Sequence, residues 1–162
     1  MFLVFLLYLA VARTAPAKNR NAKVDMTPAG FKVVASTQGF IGLNGPYYWR
    51  RDGDGRLEFG FQTDTRHANP NGVLHGGAVL GFLDTILGHA VVDETRKRCA
   101  TIALDSRFIA AIAPGPWVSG RTTIKKLTRS LAFIDGEAMA EDALLVTASA
   151  VFRVFDSEFG AV

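Results

Sequence analysis

The chain has a single cysteine, Cys99, among its 162 residues. An intrachain disulfide is therefore excluded, and no Cys/His cluster has the spacing of zinc ligands. Both absences suit a reducing, cytoplasmic setting and no structural metal. A basic face is also missing. The formal charge of +3 comes from 18 Lys and Arg against 15 Asp and Glu, but residues 1–25 hold four of those cations (Arg13, Lys18, Arg20, Lys23) and one anion (Asp25). Removing them leaves 14 of each sign, so the body of the chain has nothing with which to neutralise a phosphate polymer, and no nucleic-acid partner is expected. The apolar run at residues 1–12 ends at Arg13, short of the roughly 20 residues that a membrane-spanning helix needs. No stable membrane insertion is expected from it.

What is present is enough for one core. With 49% hydrophobic and 20% charged residues the chain can bury enough apolar surface to offset the entropy of ordering. Its length suits one domain, and it shows no repeat or low-complexity tract. Residues 1–12 followed by Ala15-Pro16-Ala17 have the length and small-residue site of a signal peptide, yet no Lys or Arg precedes the apolar run. The expected organisation is an N-terminal extension over residues 1–25, preceding a start at Met26, and one domain over 26–162. A cleaved signal, with export, is the open alternative.

Residues 47–50 and 57–62 are aromatic and partly alternating, and Asp52-Gly53-Asp54-Gly55 between them predicts a hairpin. Residues 77 to about 92 are nearly all apolar or small over a helical length, which predicts a helix buried on all sides. Four strand-like runs follow, at 100–113, 117–127, 131–140 and 144–155, punctuated by Pro114-Gly115-Pro116, Thr128-Arg129-Ser130 and Glu141-Asp142. Short turns between them predict an antiparallel meander. The fold class is α+β, a long central helix wrapped by an antiparallel sheet.

Inside the apolar helix stands one acid, Asp84. A carboxylate kept there costs several kcal/mol unless it is paired or hydrogen-bonded, which makes it a candidate functional group. Upstream, His75-Gly76-Gly77 opens the helix, and glycines there leave backbone N–H groups free to meet a ligand oxygen, as the developing oxyanion of acyl transfer requires. Gly76 and Asp84 are eight residues apart, about 12 Å along a helix at ~1.5 Å per residue, whereas reacting groups must lie within ~3–3.5 Å. If both serve one reaction, the Asp comes from a second copy whose helix runs antiparallel to the first. That predicts an obligate dimer with two sites across a twofold axis.

The string His67-Ala68-Asn69-Pro70-Asn71-Gly72-Val73-Leu74-His75-Gly76-Gly77-Ala78, with Asp84 seven residues after Gly77, resembles the signature of hotdog-fold acyl-CoA thioesterases. Within them it is most similar to the phenylacetyl-CoA thioesterase-like branch of the 4-hydroxybenzoyl-CoA thioesterase superfamily. The similarity runs from about Gly39 to Phe155. It implies that Asn69 and the Gly76 amide polarise the thioester carbonyl from one subunit, with Gly77 beside them. It implies that Asp84 of the partner acts as general base toward water, or as nucleophile through a mixed anhydride. Thr101 falls where relatives place a hydroxyl that positions the water or carboxylate, although plain β-propensity also accounts for it. His75 is expected to bond the substrate-binding loop rather than act as a base, His67 to shape that loop, and His89 to be a satisfied core or interface histidine. Cys99 is expected to be inert.

The phosphates of coenzyme A would need cations, and Lys125, Lys126, Arg129 and Ser130 cluster around one turn. Beyond coenzyme A as part of the substrate, no cofactor is implied. The resemblance also implies a homodimer, paired again as a dimer of dimers. Phe40, Tyr47, Tyr48, Phe82 and Phe108 are candidates to line the acyl pocket. A non-catalytic acyl-CoA-binding protein is the alternative, and it would not need Asp84.

Overall fold

The computed structural model describes residues 27–34 and 38–158; the N-terminal extension, the start at Met26 and the signal-peptide alternative lie outside them. In chain order the elements are β1 (Lys32–Val33), α1 (Gly39–Asn44), β2 (Tyr48–Arg51), β3 (Leu57–Gln62), a 3-10 turn (Thr65–His67), α2 (Gly76–Thr95), β4 (Lys97–Phe108), β5 (Trp117–Leu127), β6 (Leu131–Ala140) and β7 (Ala143–Glu158). The strands form one antiparallel sheet in the order β1-β2-β3-β5-β6-β7-β4.

The hairpin of β2 and β3 forms as its turn residues require. Asp52 Oδ1 accepts the N–H groups of Asp54 and Arg56 at 2.9 and 2.8 Å, and Gly55 takes the positive φ of +80° that closes the turn. β5, β6 and β7 make the expected meander. β4 does not join it beside β5. It crosses to the far edge and pairs with β7, Thr101 opposite Phe152 and Phe108 opposite Val146. It also stops at Phe108 instead of 113, because the chain then leaves the ladder: Ile109 N–H still bonds Leu145 O, but Ile112 O accepts from Leu74 ahead of α2. Local patterning marks strands without ordering them, and here the order curls the sheet around α2 until its two edges face the same strip of that helix.

The face of α2 turned to the sheet carries Val79, Phe82, Leu83, Ile86, Leu87, Ala90 and Val91, all buried. Full burial of each large side chain contributes about 1.5–3 kcal/mol. Phe82 packs against Tyr47 and Phe61, with ring centroids 5.3 and 4.7 Å away. The helix can lie this close because β5 has Gly120 beneath it, where a Cβ would come within 2.8 Å of the Phe82 ring. α2 is long and apolar enough to cross a bilayer, but this face is spent on the sheet.

Burial on all sides, expected from composition, does not hold. Leu80, Gly81, Asp84, Thr85, Gly88, His89 and Val92 form a half-buried strip between the two sheet edges. α1, an element that the sequence pattern did not reveal, covers the first half of that strip. Its Phe40 ring lies 2.6 Å from where a Gly81 Cβ would stand, and Asn44 Nδ2 donates to Ala78 O at 2.9 Å. The second half stays open.

Candidate active site

The open half of the strip forms a cavity of about 630 Å³, with Asp84 and Thr101 on its wall. Thr101 reaches Asp84 from β4: its Oγ1 donates to Asp84 Oδ1 at 2.6 Å. The register of β4 slips directly after Thr101, between Thr101 and Ala103. Such a bulge re-aims the strand. Cys99 and Thr101 face the helix, while Ile102 at the slip is 59% exposed. The bulge has no signal of its own in the sequence.

The nucleophilic potential of Cys99, in the same wall, is low. Burial and the neighbouring Asp84 charge both push its thiol pKa up, and Sγ rests against Gly88 O at 3.6 Å. Tyr47, below Asp84 in the core, is pushed up to about 12, chiefly by burial, with its hydrogen bond from Asn44 opposing and the Asp84 charge adding. It stays a neutral core phenol.

At the start of α2 the loop builds a second set of groups. His67 is buried and structural: Nδ1 accepts the Asp64 N–H at 2.9 Å, so Nε2 carries the proton and donates to Asn44 O at 2.9 Å. Asn69 closes the following turn through Oδ1, which accepts from Asn71 N at 2.8 Å and Val73 N at 3.4 Å. Its Nδ2 has no hydrogen-bond partner among the described residues and remains available to a ligand. An Ala68–Leu74 bridge and the His75 N–H to His67 O bond of 2.7 Å hold that turn against the first residues of α2.

His75 caps the helix. Its Nδ1 accepts the Gly77 N–H at 2.9 Å, and its carbonyl takes the Ala78 N–H at 2.9 Å. The imidazole is thus engaged with the backbone, as expected for a loop-bonding role. The Gly76 N–H is left without a partner among the described residues. A Cβ at Gly76 would come within 2.8 Å of the Phe108 ring of β4, so a larger residue here would displace that ring.

The cationic cluster divides. Lys125 lies at a bulge of β5 and pairs with Asp135 at 3.2 Å. Lys126 and Arg129 are exposed and make no ion pair among the described residues. Ser130 O accepts from Val154 N at 2.9 Å, and the adjacent Leu131 stands opposite Arg153, itself opposite Ala100. That ladder puts the Arg129–Ser130 turn at the sheet end shared with Thr101.

None of the five aromatics named as acyl-pocket candidates lines this cavity. Tyr47 and Phe82 are in the core, Tyr48 packs on Trp117, and Phe40 and Phe108 cover Gly81 and Gly76. The cavity's aromatic lining is Trp49, His89 and Phe152, with Trp49 one residue along β2 from Tyr48. Strand alternation carried that information, but which parity faced the helix was set by the fold. Among the described residues no group of three or more His, Cys, Asp or Glu could hold a metal.

A family model described as the thioesterase superfamily matches residues 71–147. A curated Pseudomonas aeruginosa protein that carries an esterase name is 28% identical over 129 residues, covering 78% of this chain and 96% of its own length. Among solved structures, a thioesterase-named, phenylacetic acid degradation-related protein from Ralstonia eutropha is similar with a TM-score of 0.63 and 26% identity, over 74% of this chain and 92% of that one. A Bacillus halodurans protein whose crystal structure contains coenzyme A is similar with a TM-score of 0.62 and 19% identity, over 68% of this chain and 74% of that one. Together with the helix wrapped in its curled sheet, these matches show a hotdog fold and a chain similar to members of the thioesterase superfamily.

Proposed function

We propose that the protein hydrolyses an acyl- or aryl-acyl-CoA thioester to the free acid and coenzyme A. The observation that carries this reading is Asp84, standing on the open strip of α2 at the cavity wall with Thr101 hydrogen-bonded to one of its oxygens. In the step we propose, the other carboxylate oxygen takes a proton from water as the water oxygen attacks the thioester carbon. The Gly76 N–H and Asn69 Nδ2 receive the oxyanion. Collapse breaks the C–S bond, and the proton passes from Asp84 to the leaving sulfur. A nucleophilic Asp84 would form a mixed anhydride first. Single turnover in heavy-oxygen water detects the anhydride route when water attacks the Asp84 carboxyl carbon, because only that path leaves label in Asp84.

Asp84 and Gly76 of one chain are about 12 Å apart along α2 at ~1.5 Å per residue, so we assign them to sites shared between two copies. The free edge of β4 supports this assignment. It is 12 residues long and leaves Ile102 and, at its end, Phe108 more than half exposed, a surface that natural proteins seldom leave unpaired. A homodimer through this edge, able to pair again as a dimer of dimers, is the proposed assembly. Lys126, Arg129 and Ser130 are the proposed contacts for the phosphates of coenzyme A, while Lys125 is the weakest of the four because Asp135 already holds it. The coenzyme A structure of the Bacillus relative is consistent with such a ligand. Acyl-CoAs being intracellular, the cytoplasm is the proposed location.

The test is thiol release from a panel of acyl-CoAs by residues 26–162, with Asp84→Asn alongside. Turnover that falls by ~10²-fold or more in the variant is expected. Binding without turnover in the native chain would replace this reading with the non-catalytic one. Mixing Asp84→Asn with Asn69→Asp chains then tests the shared site. Asn69→Asp keeps the oxygen that closes the turn and removes the donor. After subunit exchange, half the dimers have one intact site of two, so about a quarter of native activity should return. No recovery in demonstrably mixed dimers would refute sharing.

A further inference from the structure

His89 is not the satisfied core histidine that its place on an apolar helix suggests. Its ring lies between Trp49 and Phe59, with centroids 5.3 and 5.5 Å away, and it faces the cavity. Neither ring nitrogen has a hydrogen-bond partner among the described residues. The nitrogens are not sealed from solvent, so the edge of the ring presents them to the cavity, where a ligand group can take the place of water. From Asp84 the cavity continues past Gly88, whose missing side chain keeps it open: a Cβ there would lie 3.3 Å from the Phe152 ring. It ends at Val92, Asp93 and Arg96.

We infer that this groove receives the acyl chain, and that His89 binds an uncharged hydrogen-bonding group, such as a hydroxyl, at the far end of that chain. The inference rests on the thioesterase reading and narrows its substrate class. Burial lowers the His89 pKa, with Asp93 partly opposing and Arg51 adding to the effect, so at neutral pH the imidazole offers one donor and one acceptor. A hydroxyl matches both. A terminal carboxylate cannot, since it has no proton to give the ring's acceptor nitrogen, and the charges at that end, Asp93 with Arg51 at 2.6 Å and Arg96 at 3.7 Å, are already paired with one another. The reach is set by the helix: five residues separate Asp84 from His89, about 7.5 Å at ~1.5 Å per residue. An extended chain of six bonds from carbonyl carbon to hydroxyl oxygen spans roughly this distance. ω-Hydroxyhexanoyl-CoA has that length, and heptanoyl-CoA is its isostere with a methyl in place of the hydroxyl.

The experiment compares these two thioesters as kcat/KM ratios in the native enzyme, His89→Phe and His89→Gln. His89→Phe keeps a ring between Trp49 and Phe59 and removes both nitrogens. The native enzyme should favour the hydroxylated chain by about tenfold, within the range of one hydrogen bond. The ratio should fall to within about twofold in His89→Phe and recover in part in His89→Gln. A native enzyme that hydrolyses both equally well leaves the thioesterase reading intact and overturns this one, as does a preference that survives in His89→Phe. If neither thioester is turned over, the wider panel of acyl-CoAs decides the hydrolase reading, which fails only when no member is hydrolysed. Calorimetric binding of the same pair to the native chain and to His89→Gln then decides the inference: a preference of similar size, present natively and retained in part, supports it, and equal affinities overturn it.

Discussion

The two faces of α2 come from one sequence of almost uniform hydrophobicity, yet they do different work. The sheet-facing side places Phe82, Leu83, Ile86 and Leu87 in full burial against strands whose glycines admit them. The opposite side, one residue away at each turn, carries Gly81, Asp84, Thr85, Gly88 and His89 and is only half-buried. Large apolar side chains on the first face fix the helix in the sheet. Small and polar ones on the second leave a groove and put two otherwise costly groups at its surface. The comparison teaches that a helix without an amphipathic stripe can still have a working face, marked by side-chain size and by isolated ionisable groups rather than by general polarity.

Substitutions on the two faces should therefore separate stability from activity. The largest effect is expected at the core face. Phe82→Ala should lose about 3–5 kcal/mol of stability, read as the denaturant midpoint at constant m. A loss below 1 kcal/mol would show that the core face is loosely packed. Gly120→Ala attacks the same face from the strand side. Its Cβ would meet the Phe82 ring at 2.8 Å, and a destabilisation of about 1–3 kcal/mol is expected in thermal unfolding.

On the open strip the signature reverses. Thr101→Val removes the 2.6 Å bond to Asp84 while preserving shape, and should lower kcat by about tenfold with KM nearly unchanged and little change in melting temperature. Thr101→Ser should restore most of the rate. A KM effect instead would make Thr101 a substrate contact. The smallest effect is a pH dependence. Burial holds the folded His89 pKa below its ordinary 6.5, so the unfolded chain binds a proton that the folded chain refuses. Stability present above about pH 6.5 should thus decline as pH falls through the folded value. Urea midpoints at stepped pH should show a flatter acid limb in His89→Phe, and an unchanged limb would mean that another group carries it.

Much of this was legible before any coordinates. Hairpin, long helix and meander follow from turn residues and from runs whose length and branching distinguish helix from strand. The backbone bonding expected of His75 agrees with its cap on the Gly77 N–H, because that chemistry acts on a group two positions away. Other features were not legible. α1 has no long periodic pattern, and the bulge after Thr101 is a property of the pairing with β7. The cavity's true lining depended on which parity of β2 faces the helix, so Trp49 was missed in favour of Tyr48.

The division has a physical reason. The sequence by itself determined what depends on near neighbours: the elements, the capped and glycine-opened start of α2, and the solitary acid within an apolar run. It also contained the string that resembles the thioesterases. Only the tertiary structure decided that β4 crosses to the far edge, that Thr101 meets Asp84, that Gly88 opens a groove and that His89 faces it, with neither nitrogen bonded among the described residues. Those facts depend on contacts between residues distant along the chain, which local propensity does not encode.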